Sequence, residues 1–451
     1  MAKLTFNKLK TTEAIWLPQV PEHWELVKVR HLFKESTKKG FPNETLLVAS
    51  QQHGVVSKDA YGKRTVEATK DLHNLKLVEK GDFVISLRSF QGGIEVAHER
   101  GIISPAYTVM KETRQIEKRY FKNLFKSLPF ISLMTLCVKG IREGQNIDYP
   151  TFKNEYLPLP PFEEQQAIAA YLDKKNNEID KFIRNKERLI ELIEERKSTI
   201  INEAICGRLG YNNNGEKRIV SYIIGKENEF ENSKFEWIGK TPKEWQYKKL
   251  PWVSKFQEGP GLRTWQFTNE GVKVICVTNI TEEGIDFSLL TRCISEKEYK
   301  KKYKHFTINK GDYLLASSGA SWGKVAEYID DENVILNTST IRFNSANHQL
   351  YSKRFIKWAM KSRYMAEHLN LLLTGSCQPN FGPSHLQKLI LNIPSIEEQN
   401  SIIEFIESEL TEIHKSIKII NKEISSIKEY RESLITDLVT GKRSVPQLQM
   451  S

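Results

Sequence analysis

The chain has 451 residues, with 67 Lys and Arg against 56 Asp and Glu for a formal charge of +11, which suits two to four domains and an attraction to polyanions, nucleic acid or an acidic membrane surface. No uninterrupted apolar run approaches the ~20 residues of a membrane span, and "MAKLTFNKLK" lacks the apolar segment of a secretory signal, so a soluble cytoplasmic protein is expected. The five cysteines (Cys137, Cys206, Cys276, Cys293, Cys377) are scattered without a C-x-x-C pair and the ten histidines show no H-E-x-x-H spacing, so reduced buried thiols are expected and a disulfide framework or a zinc site is not.

In chain order, "TLLVAS", "DFVISLRS" and "AYTVMK" predict strands by their β-branched and apolar content, and "KRYFKNLFKSL" a short helix. A long amphipathic helix follows. Pro161 suits its start, Glu163 and Glu164 suit the positive end of its dipole, and Gly207 suits its stop. At ~1.5 Å per residue, Glu163 to Cys206 makes a rod of roughly 65 Å. After the polar linker "RLGYNNNGEKR", "VKVICVTNI", "DYLLASS" and "VILNTSTIRF" predict strands, and "YSKRFIKWAMKSRYMAEHLNLLL" a longer helix. A second rod begins at Ser395, whose pairing with Glu398 predicts a capping box, and stops at Gly441. The boundaries are globule 1–157, rod 158–210, globule 211–390 and rod 391–451.

This order is one unit written twice. Glu163-Glu164-Gln165 falls on Glu397-Glu398-Gln399 at a shift of 397 − 163 = 234, which also carries Pro160 onto Pro394 and Gly207 onto Gly441. Upstream, Trp16, Pro21, Trp24 and Glu25 fall on Trp237, Pro242, Trp245 and Gln246 at 221, and "KGDF" on "KGDY" at 310 − 80 = 230. The second copy therefore gains residues in its variable part and none in its rod. Side chains in the turns differ almost completely, as in "SLRSFQGG" against "ASSGASWGK". One scaffold carries two surfaces.

The rods share their apolar positions. Ile168, Leu172, Ile179, Ile183, Ile190, Ile193, Ile200 and Ala204 correspond to Ile402, Ile406, Ile413, Ile417, Ile424, Ile427, Leu434 and Leu438, a single apolar seam between charged faces as in a coiled coil. The plainer alternative is two helices, each docked on its own globule. If the rods pair, antiparallel packing is favoured, because it leaves one globule at each end and relates the copies by an approximate two-fold axis. The linker would also span the longer path of a parallel pair. The fold class is α+β: two mixed domains and two long antiparallel coiled-coil helices in a pseudo-two-fold repeat.

Catalytic motifs are near misses. "LPPF" at Leu159 has leucine where amino-methyltransferases need a polar acceptor. "GASWGKV" at Gly319 is one residue short of a P-loop and has Val325 in place of the magnesium-binding Ser or Thr. "EYK" at Glu298 ends like a nuclease motif without its Pro-Asp. Binding is the better reading, since basic, amide and aromatic residues interleave in the loops. The candidates for DNA contact are Lys58, Lys63, Arg64, Arg88, Ser89, Gln91, Arg142 and Gln145 in the first globule. In the second they are Arg263, Trp265, Ser318, Trp322, Lys324, Gln378 and Asn380.

Two variable regions alternating with two similar helices resemble the specificity subunit of type I restriction-modification enzymes over the whole chain. The resemblance rests on "PEHW" and "PKEW", "EKGDFVIS" and "NKGDYLLA", "GQNI" and "GSCQPNFG", "LPLPPFEEQ" and "LNIPSIEEQ", and "AICG" and "LVTG", in that order. The departure is at Ser395-Ile396, where the first copy has Pro161-Phe162. The resemblance implies that each globule is a target recognition domain reading one half of a split, asymmetric site in double-stranded DNA. It implies rods that set the spacer, two modification subunits as partners, and restriction subunits held through them. S-adenosylmethionine, ATP and Mg are then expected on those partners and no cofactor on this chain, which would be no enzyme by itself. The competing hypotheses are a self-sufficient restriction or methylation enzyme with a degenerate site, and a coiled-coil scaffold without a DNA role.

Overall fold

The computed structural model describes residues 8–51, 53–61, 71–139, 146–211, 217–219, 230–232, 239–288, 290–373 and 380–446. They form two compact units, one of residues 1–187 with 421–451 and one of residues 188–420. The division cuts both rods, each 44 residues long, Phe162–Ile205 and Ile396–Val439.

In the first unit an antiparallel sheet runs in the order Phe33–Ser36, Thr108–Glu112, Phe83–Ile85, Glu95–Val96. Helices Lys118–Leu124 and Leu128–Leu136 cover it, and Phe83 meets Phe125 edge to face at 5.1 Å. Strand Glu25–Lys28, just after Trp24, pairs antiparallel with Tyr156–Leu159, which leads into the first rod. One apolar core joins Trp24, Phe83 and Phe121 to Ile168 and Leu172 of the first rod and to Leu434 and Leu438 of the second. Ion pairs Asp180–Arg431 (2.5 Å) and Lys186–Glu423 (2.6 Å) also lie within this unit.

The second unit repeats that plan. Its antiparallel sheet runs Ser254–Glu258, Thr340–Ser345, Tyr313–Ala316, Val325–Glu327, and Gln246–Lys249 pairs with Ile390–Ile393. Its core contains Ile200, Ile201 and Ala204 of the first rod together with Ile402, Ile406 and Ile413 of the second. The first rod therefore ends in the core of the second unit. What the second unit adds is a five-stranded sheet, in which Val272–Ile275 and Val334–Leu336 run parallel. Among the seam positions Ile190, Ile193, Ile417 and Ile427 are half-buried and the others are buried.

Three local expectations change. "VILNTSTIRF" is two strands in different sheets, because Asn337 donates its N–H to Thr340 Oγ1 (3.1 Å) and Ser339 turns the chain with φ 62°. The "YSKRF…" segment is two helices, Lys353–Met360 and Arg363–Leu372. The Ser362 hydroxyl donates to Ala359 O (2.6 Å) and accepts from Met365 N (3.3 Å), closing one helix and capping the next. The capping box at Ser395 is half made: Ser395 Oγ accepts from Glu398 N (3.2 Å), but the Glu398 carboxylate accepts instead from the Trp245 indole (3.0 Å). Ser395 thus caps the second rod without the proline of the first copy.

Candidate nucleic-acid interface

The repeated Gly-Asp turn fixes the strand that delivers each variable loop. Asp82 accepts from Glu79 N (2.8 Å) and pairs with Lys111 (3.4 Å), while Asp312 accepts from Asn309 N (2.9 Å) and pairs with Arg342 (3.4 Å). Burial raises the Asp82 carboxyl above its ordinary pKa, against the opposing Glu79 N–H and Lys111 ammonium. The backbone around each turn is sewn to the neighbouring strand, Gly81 N to Ala97 O (2.8 Å) and Gly311 N to Tyr328 O (2.6 Å). Variable side chains thus hang on an invariant frame.

In the first unit Phe83–Ile85 delivers the short helical turn Ser89–Gly92. Arg88 and Gln91 are exposed on it. Ser89 is buried, and its Oγ accepts from Ser86 N (2.9 Å), so it holds the turn. Lys58 is half-buried in the turn Lys58–Tyr61. Beside Ser89–Gly92 lies a cavity of about 120 Å3 lined by Gln51, His53, Glu95, His98, Lys122 and Lys126, among others. Burial and the nearby Lys122 and Lys80 lower the His98 pKa, so this imidazole stays neutral among lysines. Gln51 and His53 come from one segment and His98 from another far from it in sequence, and the three carry no motif. Lys63, Arg64, Arg142, Gln145 and Gln378 lie outside the described residues.

In the second unit three candidate segments converge. Ser317 N donates to Ser339 O (2.9 Å), and Phe381 N donates to Ser317 O (3.1 Å). Ser318 and Lys324 are half-buried on this turn and Asn380 is exposed beside Phe381. Trp322 is half-buried, its ring edge-on to Phe381 at 5.6 Å, so the indole packs the loops together more than it faces outward. Arg263 and Trp265 stand exposed on the loop after Ser254–Glu258. Glu258 ties that loop to the others by accepting from Ser339 N (3.2 Å). Glu258, Asn337 and Ser339 escaped the sequence reading; the only local signal was the turn-like "NTS" inside an apolar run.

The second unit also carries a groove of about 1050 Å3, where Glu282, Glu283, Asp286, Glu327, Asp330 and Glu407 outnumber Lys197, Lys357 and Lys361. Phosphate would be repelled there. Among the described residues no group of three or more His, Cys, Asp or Glu is placed to hold a metal ion, and no helix is long and apolar enough to cross a membrane. Cys137, Cys206, Cys276 and Cys293 are buried free thiols. Burial pushes Cys137 and Cys206 up to about 11, away from thiolate chemistry.

The "EEQ" repeat is a clamp between rod and domain. Gln165 is buried; its Oε1 accepts from Glu117 N (2.9 Å), at the start of helix Lys118–Leu124, and its Nε2 donates to Pro160 O (2.8 Å). Gln399, also buried, accepts from Ser352 N (2.8 Å), at the start of Lys353–Met360, and donates to Pro394 O and Leu350 O (both 3.0 Å). Nearby, Arg119 pairs with Asp173 (3.0 Å) as Arg354 pairs with Glu407.

Comparison with known proteins agrees with this architecture. The chain is 25% identical over 445 residues to the type I restriction enzyme MjaVIII specificity subunit of Methanocaldococcus jannaschii, covering 95% of each. It is 22% identical over 335 residues to the EcoBI specificity subunit of Escherichia coli, covering 72% of this chain and 66% of that one. Among solved structures, a chain of a type I R-M system studied for its assembly and conformational transition superposes with a TM-score of 0.63 at 13% identity, over 93% of this chain and 98% of that one. The HsdS subunit from Thermoanaerobacter tengcongensis superposes with a TM-score of 0.50 at 13% identity, over 94% and 98%. A family described as the type I restriction modification DNA specificity domain matches twice, at residues 21–194 and 242–428, each match covering one sheet domain and most of its rod, and the chain belongs to that family.

Proposed function

We propose that this chain is the DNA sequence-recognition subunit of a type I restriction-modification complex, each sheet domain reading one half of a split, asymmetric site. The observation that carries this is the pairing of a repeated four-stranded frame with dissimilar loops. The same strand order, Gly-Asp turn and glutamine clamp occur in both units, while Ser86–Gly93 and Ser317–Lys324 share almost no side-chain chemistry. Two frames of one design presenting two surfaces suit two different half-sites.

The rods act as an antiparallel coiled coil that fixes the spacer and docks two modification subunits, through which restriction subunits join. Supporting this are the seam from Ile168 to Leu434 and the cross-rod ion pairs Asp180–Arg431 and Lys186–Glu423. The domains are then target recognition domains at 1–157 and 211–390, with rods at 158–210 and 391–451. Methyl transfer from S-adenosylmethionine and ATP- and Mg-dependent cleavage reside on the partners, in the cytoplasm and off the membrane, and this chain is not itself an enzyme. On the first unit, Lys58, Lys63, Arg64, Arg88, Gln91, Arg142 and Gln145 supply contacts to DNA. On the second, Arg263, Trp265, Ser318, Lys324, Gln378 and Asn380 do so.

Methylation mapping of the host genome gives the site. The full chain, alone and with its modification subunits, is then titrated with duplexes carrying both halves, one half, or a spacer altered by one base pair. Tight binding should need both halves at the native spacing and weaken steeply with salt. Methyl transfer by the purified chain alone would instead make it a self-sufficient enzyme, and absence of DNA affinity in both forms would make it a scaffold.

A further inference from the structure

The loop following the first strand of the four-stranded sheet is built differently in the two units. In the first, Phe41 folds back beside Leu46 and Leu72 under the Arg100 guanidinium, 5.8 Å from its ring centroid. In the second the loop turns outward and leaves Trp265 76% exposed. An indole left in water forfeits one of the largest apolar burials any side chain has to offer. Mobility does not explain it, since the turn is pinned. Gln266, buried beside Trp265, accepts from Arg263 N (2.9 Å) and donates from Nε2 to the Tyr303 hydroxyl (2.9 Å). That second bond fastens the loop next to Trp265 to the turn Tyr299–Tyr303, on which Lys300, Lys301 and Lys302 are exposed, with Lys304 and Arg263 exposed nearby. An aromatic side chain standing among cations suits a polyanion that also offers apolar groups at its groove edges, such as thymine methyls.

We propose that Trp265 is a specificity-determining residue of the second domain, its indole lying against a base of the bound duplex while Lys301, Lys302 and Lys304 hold the flanking phosphates. The proposal rests on the DNA-reading function and deepens it. A rigid indole gives apolar contact at little entropic cost on binding, and aromatic contact with a base and ionic contact with phosphate leave different signatures.

The test uses the full chain, with and without modification subunits, on a duplex bearing the mapped site and on a scrambled duplex, between 50 and 200 mM salt. Trp265→Ala should weaken binding to the mapped site at least tenfold and to the scrambled duplex less than twofold, with the slope of log affinity against log salt unchanged. Trp265→Phe should restore most of the loss. The double variant Lys301→Ala, Lys302→Ala should weaken both duplexes alike and reduce the slope by about 1 to 2. Equal losses on both duplexes for Trp265→Ala, or none on the mapped site, would overturn the assignment while leaving the DNA-reading function standing. A wild-type chain that cannot tell the duplexes apart in either form overturns both.

Discussion

Gly441 lies so close to Trp24 that a Cβ added to it would stand 3.1 Å from the indole Cζ3 and 2.3 Å from Pro21 Cδ. Gly207 meets the other copy's corner in the same way, 2.8 Å from Trp245 Cζ2 and 2.7 Å from Pro242 Cγ. The two rods thus end on Pro-x-x-Trp corners written far from them in sequence, and both glycines sit at positive φ, 72° and 74°. Arg208 N to Glu203 O (2.8 Å) and Gly207 N to Ala204 O (3.0 Å) complete the first of these caps. Alanine at either position should cost about 2–4 kcal/mol, adding left-handed strain to overpacking. Gly261→Ala, with open space around the Cβ, should stay within about 0.5 kcal/mol. Urea unfolding of the three variants checks the ranking, and equal costs would refute the corner contact.

Gln165 and Gln399 make a second test of the frame. Replacing either with leucine keeps the volume but strands a half-buried main-chain N–H and at least one carbonyl, a loss of about 2–4 kcal/mol. Gln399→Leu should be the worse, since Gln399 Nε2 serves two carbonyls and Gln165 Nε2 serves one. Thermal unfolding of each variant reads the difference. The reverse order would mean the clamps are not the anchors their geometry implies.

What could be read from the chain follows from how local the causes are. The rods and their glycine stops are set by residues within a turn or two of each other, so spacing and end signals placed one rod from Glu163 to Cys206 and the other from Ser395 to Gly441, where helices run Phe162–Ile205 and Ile396–Val439. The breaks at Asn337–Ser339 and Ser362 were hidden, because each turns on a hydroxyl, that of Thr340 and that of Ser362, within a stretch whose pattern otherwise continues one element. The five-stranded sheet was hidden for another reason: its parallel strands Val272–Ile275 and Val334–Leu336 are joined through distant segments. At the candidate interface Arg88, Gln91, Arg263 and Trp265 are exposed, whereas Ser89 holds Ser86 and Trp322 packs against Phe381, partners that composition does not reveal.

Glu398 gives the frame a pH dependence of known sign. Burial raises its pKa, opposed by the hydrogen bond from the Trp245 indole. The folded chain therefore keeps a proton that the unfolded chain has already released. Stability from this group is fully present below the unfolded value and is lost as pH rises through the folded one. Glu398→Gln retains an oxygen for the indole and removes the titration. Relative to wild type the variant should gain stability as pH rises from the ordinary carboxylate range to neutrality, and that gain should vanish in acid. Denaturant midpoints at several pH values decide it, and a gain that grows on acidification would refute the sign.

The spacer function of the rods is testable by length. Lys186 of the first rod and Glu423 of the second are paired at 2.6 Å, and the insertions go on either side of that pair, between Ile183 and Ile190 of the first rod and between Ile417 and Ile424 of the second. A seven-residue insertion in both stretches keeps the heptad seam in register and lengthens the pair by roughly 10 Å. At 3.4 Å per base pair that is about three base pairs. Genome methylation mapping in cells carrying the doubly extended chain should return both original half-sites with a spacer about three base pairs longer. The same insertion in the first rod alone forces seven unmatched residues into the pair, and modification should fall sharply or lose its fixed spacing. An unchanged spacer after the double insertion, or normal specificity after the single one, would refute the paired rods as the ruler.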